Sequence, residues 1–396
     1  MKRLTLSRLV IAMTFIALLA MAVRTPADTD MYWHLRTGQY ILETRSVPAA
    51  DPFSSTMLGK PWIDVHWLSQ VILYATFAAF NTLGLALLVA LLVVLAFVFV
   101  WKQMEGGVFL RAFILVLAAA TAGVVWTPRS QMATFVFTAL LSYLLYLYKW
   151  KQVDRLWLMP LMFVAWVNLH AGYVAGFMLL GTLMVGEALS NVALKFGMRG
   201  EPAIMAWARL RKLFFVTLLS GVVLVINPFT LNTLLLPLKT VNIGALQDFI
   251  QEWASPDFHE LFQQPMIWML LLTLAVIGWS GRRLDVTDAL TLGLFAYISF
   301  LARRNIGLFA LVCAPILSRH AAAWWAKSPG RDLHLSRGSP ILNWIILILI
   351  VLAAAIKMIV PLLPATQTKA EADIVPVDAV NWIVEHRPTG AMFNSY

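Results

Sequence analysis

Two carboxylates two residues apart, Asp28 and Asp30, sit in the run Asp28-Thr-Asp-Met-Tyr-Trp-His-Leu-Arg-Thr-Gly38, directly behind the first apolar stretch of the chain. At this spacing in a loop, two carboxylates converge on one hydroxyl, as a general base, or on one divalent cation such as Mg2+ or Mn2+. Asp28 and Asp30 are therefore the candidate catalytic pair and the candidate metal ligands. A solvated loop cap is the bland alternative. His34 and His66 stand beside Trp33 and Trp67, where they read equally as proton carriers or as polar tips at headgroup level. Asp64 is close enough in sequence to orient His66.

Three arginines extend the constellation. Arg129 lies in the turn Trp126-Thr-Pro-Arg-Ser-Gln131, and Arg303 and Arg304 lie in Leu301-Ala-Arg-Arg-Asn-Ile-Gly307, between apolar runs with almost no loop. Arginines at membrane depth are costly unless paired or facing a wet cavity, so they are candidate phosphate-binding residues. Snorkelling to lipid phosphates is the competing explanation. Asn168 and His170, in Trp166-Val-Asn-Leu-His-Ala-Gly172, point to different sides of a helix unless its end unwinds, which Gly172 permits. Glu252, Trp253 and Asp257 occupy a later loop where they can meet a substrate, and Asn227-Pro228 ends another apolar run. Ser-His-Asp, C-x-x-C, P-loop and G-x-G-x-x-G patterns are lacking.

The elements that must hold these residues are membrane helices. Of 396 residues, 60% are hydrophobic and 13% charged, which excludes a soluble globular protein. A span needs roughly 20 apolar residues, and about eleven segments qualify: 7–23, 82–101, 109–126, 131–148, 156–170, 172–192, 213–227, 265–280, 286–301, 304–318 and 341–361. Segment 66–80 is too short for a span and reads as an interfacial stretch running into the second helix. The spans are nearly charge-free inside, with Glu187 the exception. The single cysteine, Cys313, lies in an apolar run, so no intrachain disulfide is possible.

The net charge of +10 does not point to nucleic acid. Basic residues cluster at alternate span ends, among them Lys2, Arg3, Lys102, Arg111, Lys149, Lys151, Arg155, Arg209, Arg211, Lys212, Arg282, Arg283, Arg331 and Arg337. By the positive-inside rule the N-terminus is cytoplasmic and the C-terminus exported, so residues 24–65, 228–264 and 362–396 face the exported side. The tail carries a helix start at 376–385. Its last residues, Ala391–Tyr396, read as a strand entering a further soluble region, as in a truncated chain.

The motifs Asp28-x-Asp30-x-x-Trp33-His34-Leu35-x-x-Gly38, Asp51-Pro-Phe-Ser54, Trp166-x-Asn-x-His170, Asn227-Pro228, Glu252-Trp-x-Ser-Pro-Asp257 and Arg303-Arg-Asn305 resemble those of a widespread group of bacterial polytopic proteins. That group is similar in layout to the GT-C glycosyltransferases, which include protein O-mannosyltransferases and oligosaccharyltransferases. The resemblance implies an all-α membrane protein of about eleven transmembrane helices in the bacterial inner membrane, with a large first exported loop. It also implies a polyprenyl-phosphate-linked sugar donor, transfer on the extracytoplasmic side, and Arg303 or Arg304 on the donor phosphate. Membrane lipid and the donor are the implied partners. A transporter or flippase of a lipid-linked or anionic solute, and a non-catalytic scaffold for envelope assembly, are the alternatives.

Overall fold

The computed structural model describes residues 4–197, 204–241, 250–327, 339–390 and 392. Lys2, Arg3, Arg199, Arg331, Arg337 and the strand anticipated at Ala391–Tyr396 lie outside the described residues, Met392 excepted. Within them the chain is helical throughout, with one isolated antiparallel bridge between Ala50 and Pro61 and no strand.

The helices are α1 (Leu6–Ala22), α2 (Met31–Thr44), α3 (Trp67–Gln103), α4 (Val108–Ala122), α5 (Gln131–Lys149), α6 (Leu158–Leu169), α7 (Tyr173–Lys195), α8 (Trp207–Val222), α9 (Asn232–Val241), α10 (Gln264–Ser280), α11 (Val286–Leu301), α12 (Ile306–Ala326), α13 (Pro340–Ile359), α14 (Pro364–Ala372) and α15 (Val377–His386). Among the described residues, six are long and apolar enough to cross a membrane: α3, α4, α5, α7, α12 and α13, three of them with short flanking turns. Four shorter apolar helices accompany them, α1, α6, α10 and α11. The chain is thus an all-helical protein of membrane character.

Helix α12 is the axis of the bundle. Every residue from Ile306 to Ala321 is buried, against α4, α10, α11 and α3. Helix α13 is the opposite case: it packs on α1 and leaves Ile341, Ile345, Leu349, Leu352 and Ile356 exposed, as a lipid-facing helix does. An all-round apolar surface costs nothing in hydrocarbon, so such a helix needs only one docking seam.

The helix ends gather on two faces. On what we term the upper face, Arg24 at the end of α1 donates from Nη1 to the Gly123 carbonyl behind α4 (2.6 Å), and its guanidinium lies 5.1 Å from the Trp126 ring centre. On the lower face, Asn343 of α13 donates to the Leu4 carbonyl (2.8 Å).

One sequence expectation changes here. Residues 31–44, read as loop, form α2, whose buried Met31, Leu35 and Ile41 face α3. Gly38 allows the approach: a Cβ there would collide with the Gln70 carbonyl of α3. Segment 67–80 runs into 82–101, as the sequence implied, in a helix whose direction breaks at Asn81 (φ 50°, ψ −149°).

The spans are also less charge-free than their hydropathy suggests. At the lower face Lys149 pairs with Glu187 (2.5 Å) and with Asp285, and Arg319 pairs with Asp288 (2.6 Å). Asp285 also caps α11, accepting from the Thr287 amide (2.8 Å), and Glu187 accepts from the Met205 amide (2.6 Å). Four helices are tied by this network, and Glu187 is fully buried. Removing one partner of a buried pair strands the others, at a cost of roughly 3–5 kcal/mol. Lys149→Met is expected to lower the detergent-solubilised melting temperature sharply, and Lys149→Met/Glu187→Gln to recover part of the loss. A double variant no better than the single would show that Glu187 is not strained by losing the ammonium.

Candidate functional site

The upper face is organised around one guanidinium. Arg129 sits in the turn between α4 and α5, and three carboxylates from two distant segments meet it. Its Nε lies 2.8 Å from Asp28 Oδ1, its Nη1 2.5 Å from Glu252 Oε2, and its Nη2 pairs with Asp30. Local folding sets each carboxylate. Asp28 Oδ1 accepts the Asp30 amide (2.9 Å), a turn that brings both side chains to one side just before α2 begins. Glu252 is placed by its backbone: the Arg304 amide donates to the Glu252 carbonyl (3.2 Å) and the Arg303 amide to the Ala254 carbonyl (3.0 Å). This stitches the 250–263 segment to the 3-10 turn Arg303–Asn305.

Arg304 completes the cluster. Its Nη1 lies 3.3 Å from Glu252 Oε1, and its guanidinium covers the Trp253 ring at 4.5 Å. Glu252 is therefore shared between two arginines, one on each carboxylate oxygen. Burial pushes the Asp28 carboxyl above the usual carboxylate range, against the opposing pull of the Arg129 charge and a hydrogen bond from Thr127.

Beneath this cluster lies an array of three histidines, His34 and His170 buried and His66 half-buried. The His34 and His66 rings are 5.7 Å apart, edge to face, and those of His66 and His170 are 5.1 Å apart. Burial holds His34 well below the ordinary imidazole value, and lowers His66 to about 4, helped by the Arg304 charge. Both are neutral at physiological pH. His170 lies where α6 ends in extended backbone. Its Nδ1 accepts from the Gly172 amide (3.0 Å) and contacts the Thr134 hydroxyl (2.7 Å), which in turn accepts from Trp166 Nε1 (2.9 Å). A ring accepting at Nδ1 carries its proton on Nε2.

Asp64 and Gln70 close the array. Gln70 Nε2 donates to Asp64 Oδ1 (3.2 Å) and lies 3.4 Å from His34 Nδ1. Asp64 Oδ2, His66 Nδ1 and Gln70 Oε1 are buried and find no hydrogen-bond partner among the described residues. Burial raises the Asp64 carboxyl to about 6, despite bonds from the His66 amide and Gln70.

Of the residues singled out by sequence, Asp28, Asp30, Arg129, Glu252 and Arg304 form the ion cluster, and His34 and His170 the layer below it. Asn168 lies apart from the ion cluster, hydrogen-bonded between helices. Its oxygen accepts from Trp67 Nε1 (3.1 Å) and its nitrogen donates to the Val164 and Ile226 carbonyls (both 2.8 Å), so its amide is fully used between α6, α3 and the end of α8. Arg303 reaches Gln251 (3.2 Å) and stands outside the cluster. Asp257 caps its own loop, accepting from the His259 amide (2.9 Å). Gln70 was not legible as a site residue: it lies in an apolar helix and gains its role only from α2 packing alongside. Its signal was a glutamine one helical turn from His66.

Asp28 and Asp30 are bridged by the Arg129 guanidinium, which takes the lone pairs a divalent ion would use. A metal between them requires Arg129 to leave, and among the described residues no three His, Cys, Asp or Glu side chains gather in ligand geometry. No family model matches the chain, and no curated protein matches it in sequence.

The Asp64 carboxyl binds its proton more tightly folded than unfolded, from about 6 against 3.8. Its contribution to stability is full below about pH 4 and lost as pH rises through 6. Asp64→Asn should therefore be more stable than wild type near pH 8, by an upper bound of roughly 3 kcal/mol, and the two should converge toward pH 4. Thermal melts across that range check it. A pH-independent difference would remove Asp64 from the titrating array.

Proposed function

We propose that this chain is a GT-C-like glycosyltransferase of the bacterial inner membrane, with about eleven transmembrane helices, the N-terminus cytoplasmic and the upper face exported. It moves a sugar from a polyprenyl-phosphate-linked donor to an acceptor hydroxyl. The observation that carries this reading is the convergence of Asp28, Asp30 and Glu252 on Arg129, with Arg304 sharing Glu252. Carboxylates and arginines at one membrane face supply both halves of the reaction.

In the transfer, the acceptor oxygen bonds to the anomeric carbon as the bond from that carbon to the donor phosphate breaks. The hydroxyl proton passes to Asp28 or Asp30, and the leaving phosphate keeps the electron pair. Arg304 is the phosphate ligand best placed for this, because it is part exposed and held by a single carboxylate. When phosphate takes over the guanidiniums, Glu252 is displaced and the hold of Arg129 on the Asp pair loosens, which frees a base. The two arginines then stabilise charge that develops as the bond breaks.

A transporter or flippase is the second reading, and the lower-face network of Lys149, Glu187, Asp285, Asp288 and Arg319 favours it to a degree. Each of those charges is paired and the pairs are deeply buried, which suits a helix tie better than a moving ion site.

Native mass spectrometry of the purified protein tests for co-purified polyprenyl phosphate. Wild type and Arg303→Ala should retain the carrier, and Arg304→Ala should lose most of it, about tenfold or more for a lost charge-assisted contact. Asp30→Ala should abolish transfer with expression and carrier binding intact. A folded wild type with no carrier, or full transfer in Asp30→Ala, would end the assignment. Divalent-ion dependence of transfer that disappears in Asp28→Asn/Asp30→Asn would place a metal on the pair after Arg129 has moved.

A further inference from the structure

A second cavity on the upper face is separate from the ion cluster. It has a volume of about 540 Å3 and is walled by α2 and the 51–62 segment, outside every helix long enough to span. Its apolar surface is aromatic. Trp33, Phe53 and Trp62 meet at steep angles, with Trp33 and Trp62 ring centres 6.4 Å apart at 55° and Phe53 and Trp62 6.4 Å apart at 77°. These faces form a box, and Trp33 and Phe53 remain about two-fifths exposed.

Two cations line the same cavity, Arg36 and Lys60. Among the described residues neither is in an ion pair; Arg36 donates only to the Gln39 side chain (3.0 Å) and lies 6.0 Å from the Phe53 ring centre. Asp51 also lines the cavity, but its carboxylate is spent inward. It accepts from the Phe53 amide (2.8 Å), the Ser54 amide (3.1 Å) and the Ser54 hydroxyl (2.5 Å). The loop is pre-shaped as well: the Asp51 amide donates to the Lys60 carbonyl and the Trp62 amide to the Ala49 carbonyl, both at 2.9 Å. The box thus presents aromatic faces and two unpaired cations against one hydrogen-bonded carboxylate, an excess of positive charge.

We propose that this cavity binds an acidic sugar, a pyranose bearing a carboxylate, as part of the acceptor. A pyranose ring has C–H faces that lie on aromatic planes and a polar edge that hydrogen-bonds. Its carboxylate would bridge Arg36 and Lys60. A simple phosphate would use the cations and leave the aromatic box without a role. The cavity volume falls in the range of small-molecule sites and has room for more than one ring. Trp33 connects this box to the histidine array: its ring centre lies 3.8 Å from that of His34 and 6.4 Å from that of His66. An acidic sugar here therefore lies one side chain away from the histidine array. The proposal deepens the transferase reading by naming the acceptor class, but binding can be measured without turnover.

Intrinsic tryptophan fluorescence and calorimetry on the full chain in detergent test it, with trigalacturonate as probe and maltotriose as the neutral control. Trigalacturonate should bind and maltotriose should bind at least about tenfold more weakly. Arg36→Gln/Lys60→Gln should weaken trigalacturonate about tenfold or more and bring it level with maltotriose. Trp62→Ala should weaken both sugars. Asp30→Ala should bind trigalacturonate as wild type does, so lost transfer with retained binding separates the two readings. Equal binding of the two sugars, no binding at millimolar concentrations, or full displacement of trigalacturonate by inorganic phosphate or phosphatidylglycerol vesicles would overturn the proposal. The last of these would mark a phosphate or lipid headgroup site.

Discussion

A guanidinium in a tight helix turn at a membrane face must be compensated, and the upper face of this protein is built around that need. Arg129 cannot shed its charge. It has almost no loop in which to reach water, and leaving it unpaired at that depth is costly. The fold answers by bringing Asp28 and Asp30 from before α2, and Glu252 from before α10, onto its three nitrogens. Many other features of the face follow from this convergence. The backbone bonds from Arg303 and Arg304 to the 252–254 segment hold Glu252 in place. Arg24 fixes the strand of chain leading to Arg129 by bonding to the Gly123 carbonyl.

The two ion networks of this protein obey the same rule with different consequences. The lower network is the more buried of the two: the Glu187, Lys149, Asp285 and Arg319 side chains are at most 6% exposed, and Asp288 is 12% exposed. Ions that deep exchange partners only at great cost, so they lock helices. In the upper network Arg129, Glu252 and Arg304 are 15–23% exposed. A charged ligand arriving from water can compete for these guanidiniums, because they are compensated yet reachable. That difference in solvation suits one network to tying helices and leaves the other open to a charged ligand.

The histidine array adds a layer that can hold a proton without holding a charge. His34 and His66 are neutral because burial lowers their affinity for protons, while the neighbouring Asp64 carboxyl is raised for the same reason. One physical cause, desolvation, thus moves the acid up and the imidazoles down in pH, past one another. The orphan acceptors on Asp64, His66 and Gln70 make this the least satisfied polar spot beneath the ion cluster. Trp33 links it to the aromatic box, so a substrate seated there would be felt by the array.

Membrane character and the positions of the apolar helices were legible from composition and hydropathy, because a helix in hydrocarbon must satisfy its own backbone and declare itself as an apolar run. That Asp28, Asp30, Arg129, Glu252 and Arg304 stand out as charges needing compensation was legible too, since charges beside such runs need a reason. Helix α2 was not read, although Met31, Leu35 and Ile41 recur near a helical period, because His34, Arg36 and Gly38 dilute its apolar face. The lower network escaped notice because Lys149, Asp285 and Arg319 look like topology signals until they pair. Which carboxylate meets which arginine, and that Arg304 joins while Arg303 does not, depended on contacts across 52 to 123 residues of chain. Side-chain type is local information. Pairing is decided by how helices pack, and only the tertiary structure holds that.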